Sequence, residues 1–219
     1  MRVPIQYLAS MERLDPRAWF HHSSSGVLEV LGTIPADAWD THGLGDWTVR
    51  ELAAHTMRAW STVVTYLDEP VPVGHPLDAP TYFAESLVLP GVHEGVRERA
   101  RADAEELQDL VAAAQGRASS ALVRVAHKAD DRLVPSRFGP LTLAEYLRTR
   151  AFELTVHGLD LVRATGVAVP EALSRSVAPA AQLALEVATR RTLDESVLLA
   201  LTGRPPGPCL LYTSDAADE

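Results

Sequence analysis

An all-α bundle is the fold class this sequence predicts, and three observations predict it. Apolar residues recur at helical spacing in almost every patterned stretch, not at the alternating spacing of a half-buried strand. Two stretches begin with Thr-x-x-Glu, Thr48 to Glu51 and Thr142 to Glu145, the capping box in which both side chains satisfy free backbone donors at a helix start. No internal repeat, glycine-rich phosphate loop or low-complexity tract breaks the pattern. At 219 residues the chain suits one domain, or a domain with a small appendage, and buries a full core without disulfides or other staples.

The elements follow in order. Asp15-Pro16 is a helix start with Pro at the first helical position, and Trp19, Phe20, Val27, Leu28 and Leu31 continue it at helical spacing. Pro35 and the stretch THGLG lead into a second helix, expected over about residues 49–67 and stopped before Pro70 and Pro72. From there to Gly91 the breakers Pro70, Pro72, Pro76, Pro80 and Pro90 predict a loop with one helical turn near Tyr82, long enough to cover a site. Val96, Ala100, Leu107 and Val111 predict a third helix ending near Gly116, and SSALVRVAHKAD a shorter one after it. RLVPSRFGPLTL reads as an extended turn, with Phe138-Gly139-Pro140 setting the entry to the Thr142 cap. The helix begun there ends at Gly166 as a left-handed cap, and PEALSRSVAPAAQLALEVATRR and DESVLLALTG are further helices.

Two of these helices carry a possible metal set. Glu153 and His157 are four residues apart, so on a helix they lie one turn above the other and point the same way. His55 sits about two turns past the Thr48 cap, at ~3.6 residues per turn, with its ring on the apolar side marked by Leu52, Thr56, Ala59 and Val63. On the later helix Leu143, Leu147, Leu154 and Leu161 form the apolar stripe. A polar row of Tyr146, Arg150, Glu153, His157 and Asp160 runs along its edge. Polar groups beside a buried stripe must be solvated, paired or ligated, because burying them unpaired costs free energy. Spacing alone leaves the ordinary alternative open, since Glu-x-x-x-His recurs on solvated helix faces and a lone inward His is commonly a satisfied core residue.

The two segments resemble the mycothiol-dependent maleylpyruvate isomerase family, whose metal-binding domain belongs with the DinB-like four-helix bundles. The first block is Gly45, Trp47, Thr48, Val49, Arg50, Glu51, Leu52 and His55; the second is Glu153, Leu154, His157, Gly158, Asp160 and Leu161. A closing Leu-Leu-Ala-Leu-Thr-Gly-Arg at residues 198–204 extends the resemblance to roughly residues 15–206. It implies a DinB-like four-helix bundle with additional short helices, and a divalent metal on His55, Glu153 and His157. It also implies mycothiol as thiol cosubstrate. Arg150 and Asp160, one turn on either side of the metal pair, are the candidate catalytic residues, with an ordinary surface ion pair as their alternative. Arg58, one turn beyond His55, and Tyr146 are the candidates for holding the cosubstrate, although an exposed helical Arg is the plain reading of Arg58.

Composition narrows the rest. The formal charge of −9 and the scatter of 19 Arg argue against general nucleic-acid binding. No apolar run approaches the ~18 residues of a membrane span, and MRVPIQYLAS lacks the apolar stretch of a signal peptide, so a cytoplasmic protein is expected. A single Lys, Lys128, against those Arg fits a GC-rich genome, and actinobacteria, the makers of mycothiol, have such genomes. The stretch CLLYTSDAADE, residues 209–219, breaks from everything before it and reads as a non-native tail, leaving residues 1–208 as the domain. The negative sign of the charge survives without it. The one Cys, Cys209, goes with that tail, so a disulfide framework and a protein thiol nucleophile are both excluded and any reacting thiol comes from outside.

Three protein ligands leave a divalent ion at least one open position, the arrangement of catalytic rather than structural sites. A thiol brought there would lose its proton, and thiolate is the attacking form. The expected function is therefore thiol transfer to, or isomerisation of, an electrophilic small molecule. A metal-dependent hydrolase acting through water and a non-catalytic metal-stabilised binding bundle are the alternatives. His and carboxylate ligands admit zinc, first among them, and also nickel, manganese or iron. Substrate and oligomeric state are not legible. Among other residues, His21 and His22 are expected on the surface, His42, His75 and His93 in loops and His127 on a short polar helix. Trp19, Trp39, Trp47 and Trp60 are expected to pack the core or the bundle end.

Overall fold

The computed structural model describes residues 14–86, 101–102, 104–105, 107 and 109–203. The expected tail at residues 209–219, the closing residue Arg204, and Val96 and Ala100 of the expected third helix lie outside the described residues.

Helix α1, Pro16–Thr33, starts where Asp15 accepts a hydrogen bond from the Ala18 amide and Pro16 presets the first helical position. Helix α2, Val49–Asp68, opens on the complete capping box: the Thr48 hydroxyl accepts from the Glu51 amide, and the Glu51 carboxylate accepts from the Thr48 amide at 2.7 Å. Between them lies an antiparallel hairpin, β1 His42–Leu44 and β2 Trp47–Thr48, in the stretch read from sequence only as a lead-in. Two- and three-residue strands carry too little alternation to register against the helical background.

Helix α3, Ala79–Ser86, occupies the proline-rich connection where one turn was expected near Tyr82. Helix α4, Leu110–Ala126, corrects two expectations at once, because it runs straight through Gly116 and absorbs the supposed separate helix after it. Gly116 is exposed and a Cβ there would meet nothing, so glycine weakens this helix without breaking it. Short strands β3, Leu133–Val134, and β4, Leu141–Thr142, pair antiparallel and close the extended turn. Helix α5, Leu143–Thr165, follows and ends at Gly166 in the left-handed conformation at φ 70°. Helices α6, Glu171–Arg190, and α7, Asp194–Leu201, complete the described chain.

Helices α1, α5, α2 and α4 pack around a ring, each against the next, with α6 laid outside against α1, α5 and α3. This is an all-α bundle of the DinB-like kind. Trp19, Phe20, Leu52, Met57, Trp60, Leu147, Leu154 and Leu161 fill its centre. Two of the core tryptophans find partners for their ring N–H: Trp60 Nε1 donates to Ser24 Oγ at 2.9 Å, and Trp19 Nε1 to Thr155 Oγ1 at 3.3 Å. Gly26 lets α6 come close, since a Cβ there would lie 2.5 Å from the Leu173 backbone nitrogen. None of the described helices is long and apolar enough to cross a membrane.

The second capping box is half formed. The Thr142 hydroxyl accepts from the Glu145 amide at 3.3 Å, but the Glu145 carboxylate accepts from the Ala79 amide at 2.8 Å and pairs with Arg148. It ties α3 to the start of α5.

Candidate metal centre

The complete cap on α2 fixes the helix two turns before His55, and the long α5, packed on α1 and α2, presents Glu153 and His157 one turn apart. The rings of His55 and His157 meet edge to face, centroids 4.9 Å apart, and the donor atoms of His55, Glu153 and His157 all lie within 4.8 Å of one another. His157 is buried; the other two are partly so. The sequence spacing accounts for Glu153 and His157, and the α2–α5 packing brings in His55.

A chain of contacts orders the cluster. His157 Nε2 faces Glu153 Oε2 at 3.2 Å, while Nδ1 lies 3.2 Å from Asp160 Oδ2. With Nδ1–H donated to Asp160, the ring turns its other nitrogen toward Glu153 and His55, the role a carboxylate behind a ligating imidazole performs. Asp160 thus acts on the cluster through His157.

Burial holds the charge states far from their solution values. Burial, together with the charge of His157, pushes His55 down to about 3, so it is neutral at pH 7. For Glu153 burial would raise the value, but the hydrogen bond and charge of His157 bring it down to about 2. For His157 burial would lower the value, but hydrogen bonds from its ring to Asp160 and Glu153 lift it to about 9. An anionic carboxylate and a neutral imidazole are the ligating forms of their residues. His55 Nδ1 is moreover buried with no hydrogen-bond partner among the described residues, a deficit that a cation in the cluster would remove. The donor set therefore fits a divalent metal.

Of the other expected site residues, Arg150 lies beside the cluster. Its guanidinium stands 5.2 Å from the ring centre of Tyr146 and 5.8 Å from that of Tyr82, and its charge acts on Glu153 and His55. Arg58 is half-buried, not exposed as a lone helical Arg would be, and its charge also reaches His55. Tyr146 is buried, and burial pushes its hydroxyl up, so it stays protonated. Two neighbours escaped the sequence reading. Trp47, expected as ordinary packing, sets its ring 4.7 Å from that of His55, and Tyr82 reaches Arg150 from α3. The motif position of Trp47 was the only available signal for the first; nothing in the proline-rich stretch singled out Tyr82. His21 and His75 are exposed, as is His127, which follows α4 instead of lying on a helix of its own, and His42 stands on β1.

Fold and site together define the class, a DinB-like all-α bundle with a His, Glu, His cluster between two of its core helices. The chain belongs to the family of the mycothiol maleylpyruvate isomerase N-terminal domain, whose model matches residues 20–162. That span holds all three cluster residues and stops short of α6, α7 and the Leu-Leu-Ala-Leu-Thr-Gly-Arg stretch, so the family match is narrower than the resemblance read from sequence. Comparison with curated proteins and with solved structures yields no match.

Proposed function

We propose that this protein is a divalent-metal-dependent enzyme that brings an external low-molecular-weight thiol, mycothiol, to an electrophilic small molecule and transfers the thiol to it or isomerises it. The observation that carries the reading is the cluster of His55, Glu153 and His157, which among the described residues offers three donors, whereas a structural site is normally closed by four. Membership of a family named for a mycothiol isomerase supports the thiol.

The chain's own residues have separable tasks. His55, Glu153 and His157 hold the ion, and Asp160 keeps the His157 ring turned toward it. Bound there, a divalent ion supplies Lewis acidity that favours the thiolate form of a thiol at neutral pH. Trp47 covers one side of His55 and limits water on that face. Arg150, unable to ligate a cation, offers its guanidinium to an anionic group of the substrate or to polar groups of the thiol. The chain's one Cys, Cys209, lies outside the described residues, and in this reading the nucleophile arrives with the cosubstrate. Zinc is the expected metal, because three N/O ligands with one position open is its usual catalytic arrangement.

The test is metal analysis of the purified protein, followed by a turnover screen of electrophiles with and without mycothiol. One divalent ion per chain and turnover that requires the thiol are expected. Tight metal binding with no thiol-dependent turnover across varied electrophiles would assign the bundle to a non-catalytic role, and turnover with water alone would make it a hydrolase.

A further inference from the structure

Helix α3 is an unusually well-anchored short helix for a segment bounded by prolines. The Leu77 amide donates to the Pro140 carbonyl at 2.8 Å, and the Thr81 amide donates to Asp78 Oδ1 at 2.9 Å. Asp78 also pairs with Arg190 of α6, and the Ala79 amide is held by Glu145 of α5. Phe83 is buried with its ring 5.0 Å from that of Phe152. These contacts come from three different parts of the chain, and their common effect is to fix Tyr82. Its ring packs edge to face on Phe138 at 5.3 Å and approaches the Arg150 guanidinium, whose Nη2 lies 3.5 Å from the Tyr82 hydroxyl.

Arg150 is thus flanked by aromatic rings from two elements, Tyr146 one turn before it on α5 and Tyr82 from α3, both within the ~6 Å over which a cation and a ring face attract. Its Nε donates to Thr149 Oγ1 at 3.1 Å. A long Arg side chain ordinarily samples many rotamers, and confinement between two rings removes most of that freedom before any ligand arrives. Arg150 also sits three residues before Glu153, so the same face of α5 carries the confined guanidinium and the metal cluster.

We infer that Tyr82 is a positioning residue, which with Tyr146 holds Arg150 beside the metal cluster so that its guanidinium receives a carboxylate or similar small planar anion of the ligand. The inference rests on the metal-site reading proposed above and adds to it the element that completes the site, the α3 segment, and the chemistry it selects. Tyr82 touches Arg150 and acts through it.

The experiment uses the full chain, labelled with nitrogen-15, in metal-free and zinc-loaded forms. Acetate is the probe, and its binding is followed by the resonances of Arg150 Nε and Trp47 Nε1, the latter reporting in every variant. Wild-type protein is expected to show saturable shifts. Tyr82→Leu, which keeps apolar bulk against Phe138 and Phe83, should weaken acetate about three- to tenfold, the range of one cation–ring contact. Tyr82→Phe, which keeps the ring, should stay within about twofold of wild type on the same grounds. With Arg150→Ala already present, Tyr82→Leu should cause no further loss, since Tyr82 would have nothing left to position. Zinc content of the loaded protein should be the same in every variant. An unchanged acetate affinity in Tyr82→Leu overturns the inference, as does equal weakening with and without Arg150. So does wild-type protein that binds no acetate. Failure of the thiol reading shows separately, as missing turnover or missing zinc, while the metal-free titration still reads Tyr82.

Discussion

Metal affinity at this site should depend on pH in a way that an ordinary histidine cluster would not produce. The proton that competes with the ion sits on His157, whose value is lifted to about 9 by Asp160 and Glu153 against the effect of burial. His55, pushed down to about 3 by burial and by His157, and Glu153, brought down to about 2 by His157 against the effect of burial, carry no competing proton at neutral pH. Binding therefore releases one proton between about pH 3 and 9, so the apparent association constant should rise about tenfold per pH unit. From pH 6 to 8 that is about 100-fold, or roughly 2.7 kcal/mol at 1.36 kcal/mol per unit. A cluster of imidazoles at the ordinary value of 6.5 would level off soon after pH 7. The assay is competition for zinc against a chelator of known pH dependence, run from pH 5.5 to 9.5. A plateau that begins near pH 7 would refute the assigned proton, and a slope of two in this range would show that His55 is protonated as well. The metal-free fold carries the same linkage. The raised value of His157 contributes stability that is present below pH 6.5 and lost as pH rises through 9, whereas the lowered value of His55 costs stability as pH falls from 6.5 toward 3. These two groups together place the metal-free optimum near pH 6.5.

Further outcomes follow from single contacts. Asp160→Asn should weaken zinc binding about 10- to 100-fold by loosening the His157 ring, read by the same chelator competition. Arg150→Ala should lower thiol-dependent turnover while zinc content by mass spectrometry stays at the wild-type level, because Arg150 is no ligand. Gly26→Ala should destabilise the fold by about 1–3 kcal/mol in denaturant unfolding, since its Cβ would meet the Leu173 backbone. Gly116→Ala, at an open position in the middle of α4, should gain up to about 1 kcal/mol by the same measurement; a loss there would contradict the continuous helix.

The readable parts of this chain were those governed by local rules. Asp15-Pro16, Thr48 with Glu51 and Gly166 mark helix ends through contacts within a few residues, and all three ends stand where the sequence places them. Glu153 and His157 share a face for the same reason. Gly116 misled because an exposed glycine lowers helix propensity by only about 1 kcal/mol, which the buried face of α4, with Leu110, Ala114, Ala118, Ala121 and Val125, outweighs. Glu145 left its expected capping partner because the Ala79 amide and Arg148, one distant and one local, compete for the same carboxylate. The placement of Tyr82 against Arg150 depends on packing between elements far apart in sequence, which no local pattern encodes, and the strands of the hairpin that brings Trp47 onto His55 are too short to show an alternating pattern.

The central claim is that His55 on one helix and Glu153 with His157 on another hold a single divalent ion. Zinc per chain, measured by mass spectrometry on wild-type and His55→Ala protein dialysed against the same zinc buffer, tests it most directly. One ion per chain is expected in the wild type and loss of stoichiometric binding in the variant, whose two remaining ligands sit on a single helix; full zinc content in His55→Ala would contradict a shared site.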